Sequence, residues 1–488
     1  MASPNVLGPR LKGLLKPPSR ERILTGPTLR TMARIGLPAA FVNLIFTLYS
    51  LANAFWVGRL PNAAAAIAGI NVSWPVVWVI LSFVMGFSGA AVMALVSQYT
   101  GANRPEEANL ALNQFVSLAV FASVALGLAG YAAAPWFLRV LIVNREVSDA
   151  ATPYIRILLL GLPTTMLPAL FGAALYATGD SIIPLLVNFS GTVLNAVFDY
   201  FLVLGHGGFP QLGIVGAAYG TVTCQGLTML AFIVIFVVGR GSLRLRWRDL
   251  RPRWDWMWRG LRIGMPAGLG QTGTAAGFLL LTGLIARLPN SEIAQAGYGL
   301  GDRVLGMFSI MSDGFATGLT TMIGQALGAG LKERVSQVLR RGLAGLFAIL
   351  ALEGVILVAF RHVFVSVLAP SQPEVLAVAA QFVLAFAVSL PCLGTFFASI
   401  AVYRAAGRNV PAMILELMRL WVWRLPLCWL LAYPLHLGAD GVWWGMSASN
   451  AISGVVAIVS LSRPGWRQGV IEPIPQPGKK EVAVESEV

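Results

Sequence analysis

The sequence reads RIGLPA from Arg34 to Ala39, and 228 positions later it reads RIGMPA from Arg262 to Ala267. GFSGAAVMALVSQYTGAN from Gly86 is likewise matched by GFATGLTTMIGQALGAGL from Gly314, with a slip of one residue between the two segments. Self-similarity at one fixed distance indicates a duplicated structural unit. The two halves of the chain are therefore expected to share one fold.

The composition places this duplicated unit in a membrane. Hydrophobic residues make up 57% of the 488 residues, the mean hydropathy is +0.73, and charged residues make up 11%. Soluble domains carry about 25% charged residues. So few charges cannot cover the surface of a soluble protein of this length, so the surrounding solvent is expected to be lipid.

Twelve apolar runs are long enough to cross a bilayer, six in each half. Lipid offers no hydrogen bonds to the backbone and the runs are too long for barrel strands, so they predict an all-α polytopic membrane protein. Two six-helix lobes should be related by a pseudo-two-fold axis near the membrane normal. The predicted spans are 30–57, 66–98, 108–135, 151–178, 181–205, 212–239, 260–286, 294–327, 337–360, 373–403, 409–432 and 438–461.

The distribution of basic residues predicts the orientation of the chain. The net charge is +14, and 26 of the 35 Lys and Arg residues lie in the termini and even-numbered loops, against five in the opposite loops. This asymmetry predicts cytoplasmic termini in an inner membrane and argues against nucleic-acid binding. The predicted parts are an amino-terminal segment (1–29), an N-lobe (30–239), an interfacial linker helix (240–259), a C-lobe (260–462) and a disordered tail (463–488).

Several further motifs resemble those of one transporter family. They are Pro38, Pro266, ATGDSIIP from Ala177, LNAVFDYFLVLG from Leu194, LGIVGAAYGT from Leu212, AAGRNVP from Ala405, RLPL from Arg424 and LGADGVWWG from Leu437. With the duplication, they make residues 25–465 resemble the DinF-like branch of the multidrug and toxic compound extrusion (MATE) family. The resemblance implies a two-lobed exporter of small amphipathic organic cations, driven by a proton or sodium gradient. We expect a monomer surrounded by lipid, with no cofactor.

Two polar stripes predict a cleft in the N-lobe. The fifth span carries Asn188, Thr192, Asn195 and Asp199, whose spacings of four, three and four place them on one helix face. The first span carries a second stripe, formed by Asn43, Thr47, Ser50 and Asn53. A charge inside a span usually faces a cavity or a partner, so Asp199 is predicted to bind a proton or to ligate sodium.

The resemblance assigns ion coupling to this cleft. An Asn–x–x–x–Asp pair is typical of the fifth span in the DinF-like branch, and Asn195 and Asp199 match it. A second coupling Asp is expected near the end of the first span, where this chain has Asn53. Since asparagine does not titrate, ion coupling is expected to depend mainly on Asp199.

The C-lobe contains its own intramembrane charges. We expect these to be structural, with Glu416 and Arg419 able to pair because they are three positions apart. Met307 and Met311 are candidate cavity residues, because methionine adapts to varied ligand shapes. The predicted structural charges are Asp302, Arg303, Glu353, Glu416, Arg419 and Arg424.

Two alternatives remain open. The first is a flippase for lipids or lipid-linked oligosaccharides from the same superfamily, which would need a strongly cationic cavity. The second is a membrane-embedded enzyme. The sequence contains no HExxH, no Walker motif and no mid-membrane histidine, so it does not favour catalysis.

Overall fold

The computed structural model describes residues 17–57, 63–141, 145–239, 242–368 and 372–471. Within these ranges, the side chains that are outside the description are those of residues 46–55, 57, 63–76, 137–141, 145–151 and 464. All regular structure in these ranges is helical. The helices are α1 (Arg20–Thr25), α2 (Thr28–Val57), α3 (Ala63–Gly101), α4 (Pro105–Leu141), α5 (Arg145–Leu160), α6 (Leu162–Thr178), α7 (Ile182–Leu204), α8 (Gly213–Val238), α9 (Trp254–Ile285), α10 (Ser291–Gly328), α11 (Lys332–Leu368), α12 (Pro373–Ala405), α13 (Asn409–Leu417), α14 (Leu425–Ala432) and α15 (Gly438–Leu461).

The helices account for the twelve predicted spans. Eight described helices contain an apolar stretch that can cross a membrane, and α5 with α6 forms a ninth that bends by 47°. The other three are α2, α10 and the run from α13 to α14, which a π-helix from Met418 to Arg424 interrupts. The predicted all-helical fold with six spans in each lobe is confirmed.

The duplicated motifs lie where the lobes meet. A Cβ atom added to Gly36 in α2 would lie 2.7 Å from the carbonyl oxygen of Gly314 in α10. A Cβ atom added to its repeat mate, Gly264 in α9, would lie at the same distance, 2.7 Å, from the carbonyl oxygen of Phe87 in α3. Only glycine permits backbones to come this close. The RIGLPA and RIGMPA motifs thus form the two symmetry-related halves of the lobe interface.

A second symmetric pair joins the lobes at one end of the bundle. Gln98 Nε2 at the end of α3 donates to the carbonyl oxygen of Ala405 at 2.8 Å. Gln325 Nε2 at the end of α10 donates to the carbonyl oxygen of Ala177 at 2.9 Å. Each glutamine therefore crosses to the opposite lobe. We call the end of the bundle formed by these four residues the closed end.

The predicted disordered tail begins with an ordered segment at the closed end. The backbone N–H groups of Val470 and Ile471 donate to Gln98 Oε1 at 2.9 and 3.3 Å. Trp466 is 2% exposed. The prediction of disorder is therefore wrong for residues 463–471, because Gln98 supplies hydrogen-bond partners that the local composition does not reveal, and residues 472–488 lie outside the described part.

The predicted interfacial linker is not one helix. A 3₁₀ turn covers Trp247–Leu250, and the transmembrane helix α9 starts at Trp254. Side chains of α4 hold this segment in place: Asn113 Oδ1 accepts from the Arg246 N–H at 2.9 Å, and Gln114 Oε1 accepts from the Arg253 N–H at 2.8 Å. These bonds to α4 replace the hydrogen bonds that a helix would make.

Candidate functional site

A cavity of about 880 Å³ lies between the two lobes. The N-lobe contributes side chains from α2, α3 and α6, and the C-lobe contributes most of the remaining wall. Aromatic and aliphatic side chains make up much of this wall. The aromatic members are Trp78, Tyr176, Phe278, Phe308, Phe386, Phe396 and Phe397.

All charged side chains that line this cavity come from the C-lobe. Five of the six predicted structural charges are among them, and of these Arg424 is fully buried in the cavity wall. Arg303 is the exception, because it is exposed and does not line the cavity. The charged lining residues are Asp302, Asp313, Glu353, Arg404, Glu416, Arg419 and Arg424.

Glu416 pairs with a different arginine from the one expected. Its Oε1 atom lies 2.6 Å from Arg404 Nη2, and this ion pair joins α12 to α13. The described part of the chain contains one other ion pair, between Arg104, which directly precedes α4, and Glu107 in the first turn of α4. The expected pairing of Glu416 with Arg419 is therefore wrong, because the π-helix begins at Met418 and changes the angle between these positions.

Two functional candidates were missed by the sequence analysis. Asp313 immediately precedes the repeated Gly314 motif, and Arg404 immediately precedes the AAGRNVP motif. Asp313 and Arg404 were overlooked because each lies at the border of a motif or at the end of a span. Their charges inside an apolar stretch could have marked them as candidates. In the structure Asn43 Nδ2 lies 3.5 Å from Asp313 Oδ2, so Asn43, the first residue of that stripe, meets the C-lobe wall.

Glu353 adds a second carboxylate beside Asp313. It lies on α11, lines the cavity and is 8% exposed. Its Oε2 atom has no hydrogen-bond partner among the described residues. A buried carboxylate without a partner is costly in this setting, and a cation entering the cavity would relieve that cost.

The second polar stripe belongs to a separate, much smaller space. Asn188, Thr192 and Asn195 line a pocket of about 20 Å³ between α7 and α8, which has room for one water-sized species. Asp199 lies one turn beyond Asn195 and is 0% exposed. Neither of its carboxylate oxygens has a hydrogen-bond partner among the described residues.

Asp199 is packed against the backbone of α8. A Cβ atom on Gly220 would lie 2.5 Å from Asp199 Oδ1, so the carboxylate fills the space that this glycine leaves. Tyr154 on α5 is close enough to interact with it electrostatically. Among the described residues of the N-lobe, Asp199 is thus a fully buried acid that lies one helical turn from a pocket with room for a small ion.

The two polar stripes therefore do not line the common cleft that the sequence predicted. Asn43 lines the large cavity, whereas the stripe on α7 faces α8. The side chains of Thr47, Ser50 and Asn53 lie outside the described residues, and their roles remain predictions. Met307 and Met311 are 60% and 44% exposed and do not line the cavity, so that expectation is wrong.

The chain matches one family model across both halves. The MatE model aligns with residues 38–201 and again with residues 266–430. A protein named "Probable multidrug resistance protein NorM" from Thermotoga maritima is 26% identical over 91% of this chain and 94% of its own length. A protein named "FAD transporter" from Shewanella oneidensis is 24% identical over 91% of this chain and 96% of its own length.

Solved structures share the fold. One, described as "Crystal structure of MATE in complex with MaL6", has a TM-score of 0.82 at 22% identity and covers 90% of this chain and 96% of its own. Another, described as "Outward-facing conformation of a multidrug resistance MATE family transporter of the MOP superfamily", has a TM-score of 0.83 at 22% identity. It covers 91% of this chain and 97% of its own.

Proposed function

The chain belongs to the MatE family, and we propose that it is a multidrug efflux transporter that exports amphipathic organic cations in exchange for protons or sodium ions. Members of this family are transporters, so the protein is a transporter and not an enzyme. It is also a multi-pass membrane protein. We further propose that both termini are cytoplasmic and that the membrane is the inner membrane, as the distribution of Lys and Arg indicates.

The observation that supports this substrate class is the chemistry of the large cavity. Aromatic rings from both lobes offer flat apolar surfaces to a drug-sized molecule. The carboxylates of Asp302, Asp313 and Glu353 line the same space and attract a positive charge. Aromatic faces also favour cations directly. A cavity of about 880 Å³ is within the size range of small-molecule sites.

We propose that Asp199 couples export to the ion gradient. Its desolvated carboxylate can take up a proton, and the amide and hydroxyl oxygens of Asn188, Thr192 and Asn195 beside it can add ligands to a sodium ion. Because this pocket is separate from the large cavity, substrate and ion need not occupy the same space. Competition between them would act through the relative position of the lobes.

Alternating access by rocking of the two lobes is the motion that we propose. The symmetric glycine contacts at Gly36 and Gly264 provide two matching points about which two rigid lobes can move. The bonds of Gln98 and Gln325 hold the lobes together at the closed end. Breaking this pair would open that end while the opposite end closes.

Transport measured in liposomes tests the proposal. The purified full-length protein is reconstituted with ethidium as the cationic probe, and a proton gradient and a sodium gradient are imposed in separate experiments. We expect ethidium to move against its own gradient under one of the two, and not in protein-free liposomes. Ethidium movement that depends on neither gradient would contradict ion coupling. The absence of ethidium movement under both gradients would contradict the substrate class.

A further inference from the structure

Residues 17–26, which we call the amino-terminal strap, reach across to the C-lobe before the chain enters the N-lobe. Ile23 and Leu24 of α1 are buried in the hydrophobic cluster that is built mainly by the C-lobe. Arg334 on α11 is buried, and its Nη2 atom donates to the carbonyl oxygens of Ile23 and Gly26 at 3.1 and 2.7 Å. The end of α1 leaves such carbonyl groups without partners inside the helix, so an arginine is favourable there.

The amino-terminal strap also holds the N-lobe. Arg20 Nη2 and Nε donate to the carbonyl oxygen of Gly101 at 2.6 and 3.0 Å, and Nε also lies 3.1 Å from that of Thr100. Both carbonyls lie at the carboxyl end of α3, where a positive charge complements the helix dipole. Ile23 covers the end of α6, because a Cβ atom on Gly179 would lie 2.7 Å from Ile23 Cδ1. The strap therefore bridges the two lobes at the closed end.

Residues 464–471, which we call the carboxy-terminal strap, make the reverse crossing. They follow α15 of the C-lobe, where Trp466 Nε1 donates to the carbonyl oxygen of Leu461 at 2.8 Å and the ring is buried in the C-lobe cluster. Ile471 is buried in the cluster that is built mainly by the N-lobe, next to its bond with Gln98. Each chain end thus inserts apolar side chains into the lobe opposite to the one it adjoins.

We propose that the two straps form a clasp across the closed end that sets how often this end opens. Parting the lobes would pull Ile23 out of the C-lobe cluster and Ile471 out of the N-lobe cluster, and it would break the bonds of Arg334 in the same step. Since the straps are chain ends, they can detach while the membrane-spanning helices stay folded. This inference rests on the proposed rocking of the lobes and adds a device that controls it.

A distance between the lobes at the closed end tests the clasp. Glu106 in the first turn of α4 and Lys332 in the first turn of α11 are exposed on opposite lobes. Spin labels are attached to Glu106→Cys and Lys332→Cys in the purified full-length protein, whose three native cysteines are replaced by alanine. Double electron–electron resonance then gives the ratio of long to short distances between the labels. We expect the short distance to dominate in the otherwise unchanged protein.

Weakening either strap should raise the ratio of long to short distances. Ile471→Ala removes apolar burial in the N-lobe, and Arg334→Gln removes two charge-assisted bonds to the amino-terminal strap, so each should raise the ratio by roughly tenfold. Arg20→Gln acts on the same strap from an exposed position, so it tests the clasp even where Arg334→Gln fails to fold. We expect it to raise the ratio by roughly threefold to tenfold.

Matched substitutions at exposed positions are the controls. Arg30→Gln lies on α2, outside the amino-terminal strap, and Gln468→Ala lies within the carboxy-terminal strap. Both should leave the ratio unchanged. Combining Arg20→Gln with Ile471→Ala should multiply their separate factors, because one opening step releases both straps.

Two results would overturn the clasp. One is an unchanged ratio in both Arg20→Gln and Ile471→Ala. The other is faster hydrogen–deuterium exchange of residues 464–471 in Ile471→Ala without a change in the ratio, since the strap would then detach while the lobes stay together. The readout is a distance and uses no substrate, so the clasp can fail while ethidium transport succeeds, and ethidium transport can fail while the clasp holds.

Discussion

The N-lobe and the C-lobe share one scaffold and differ in where they place charge. In the N-lobe, Asp199 is fully buried beside a pocket of about 20 Å³. In the C-lobe, seven charged side chains line a cavity of about 880 Å³. The repeated glycines and glutamines keep equivalent contacts in both lobes. Duplication has thus preserved the residues that join the lobes and left the polar interior free to diverge.

This difference suggests a division of labour. A pocket of about 20 Å³ suits a bare ion, whereas a cavity of about 880 Å³ suits an organic molecule of variable shape. If both tasks shared one site, substrate size would limit ion binding. Separate sites in two lobes allow each to be altered without the other, and the following variants test this separation.

The largest expected effect comes from Asp199→Asn. Removing the charge of Asp199, one helical turn from the small pocket, should reduce gradient-driven ethidium transport to the level of protein-free liposomes, while ethidium binding to the large cavity stays intact. The matched control is Asp180→Asn in the same lobe. Asp180 Oδ1 accepts from the N–H groups of Ile182 and Ile183 at 3.1 and 3.2 Å, and asparagine can replace it as a helix cap. Retained coupled transport in Asp199→Asn would contradict the proposal that the N-lobe binds the ion while the large cavity binds the substrate.

The less exposed ion pair of the C-lobe, Arg404–Glu416, should matter more than the more exposed pair of the N-lobe, Arg104–Glu107. Glu416→Gln leaves Arg404, whose side chain is 28% exposed, without its partner. We expect a loss of about 2 kcal/mol in unfolding free energy, less than for a fully buried pair because Arg404 is partly solvated. Glu107→Gln removes an exposed partner of Arg104 and should cost at most about 1 kcal/mol. Thermal unfolding in one detergent compares them, and equal losses would contradict the contrast between lobes.

The two glycines at the closed end should respond alike. A Cβ on Gly101 would lie 2.0 Å from the Gln325 carbonyl oxygen, and one on Gly328 would lie 1.8 Å from that of Gln98. We expect Gly101→Ala and Gly328→Ala each to destabilise the protein by roughly 1–3 kcal/mol, because the backbones must separate. Gly299→Ala, which meets nothing within 4 Å, is the control. Clearly unequal losses would show that the closed end is not symmetric.

The smallest expected effect is a difference in stability between the alanine variants of Gln98 and Gln325. Gln325→Ala loses one hydrogen bond across the lobes, to Ala177, and should cost about 1 kcal/mol. Gln98→Ala loses the bond to Ala405 and also the acceptor for Val470 and Ile471, so it should cost about 1 kcal/mol more. Hydrogen–deuterium exchange of residues 463–471 should rise only in Gln98→Ala. A rise in both variants would argue against specific docking of this segment.

Most of the architecture could be predicted from the sequence, because hydropathy and an internal repeat act over long stretches of chain. The contacts inside the C-lobe could not. Glu416 and Arg419 are three apart and would share an α-helical face, yet the π-helix that starts at Met418 redirects the arginine. The pairing of Glu416 with Arg404 joins two helices. Helical spacing describes neighbours on one helix and carries no information on how two helices are rotated against each other.

The docking of Trp466–Ile471 on Gln98 suggests where a fluorescent reporter can be attached to the protein. Gln98 holds an N-lobe helix, a C-lobe helix end and this carboxy-terminal segment through one amide group. A fluorophore attached near Val470 would therefore change its surroundings whenever the lobes part at the closed end. The segment offers a place to follow transport cycles optically while the cavity walls remain unmodified.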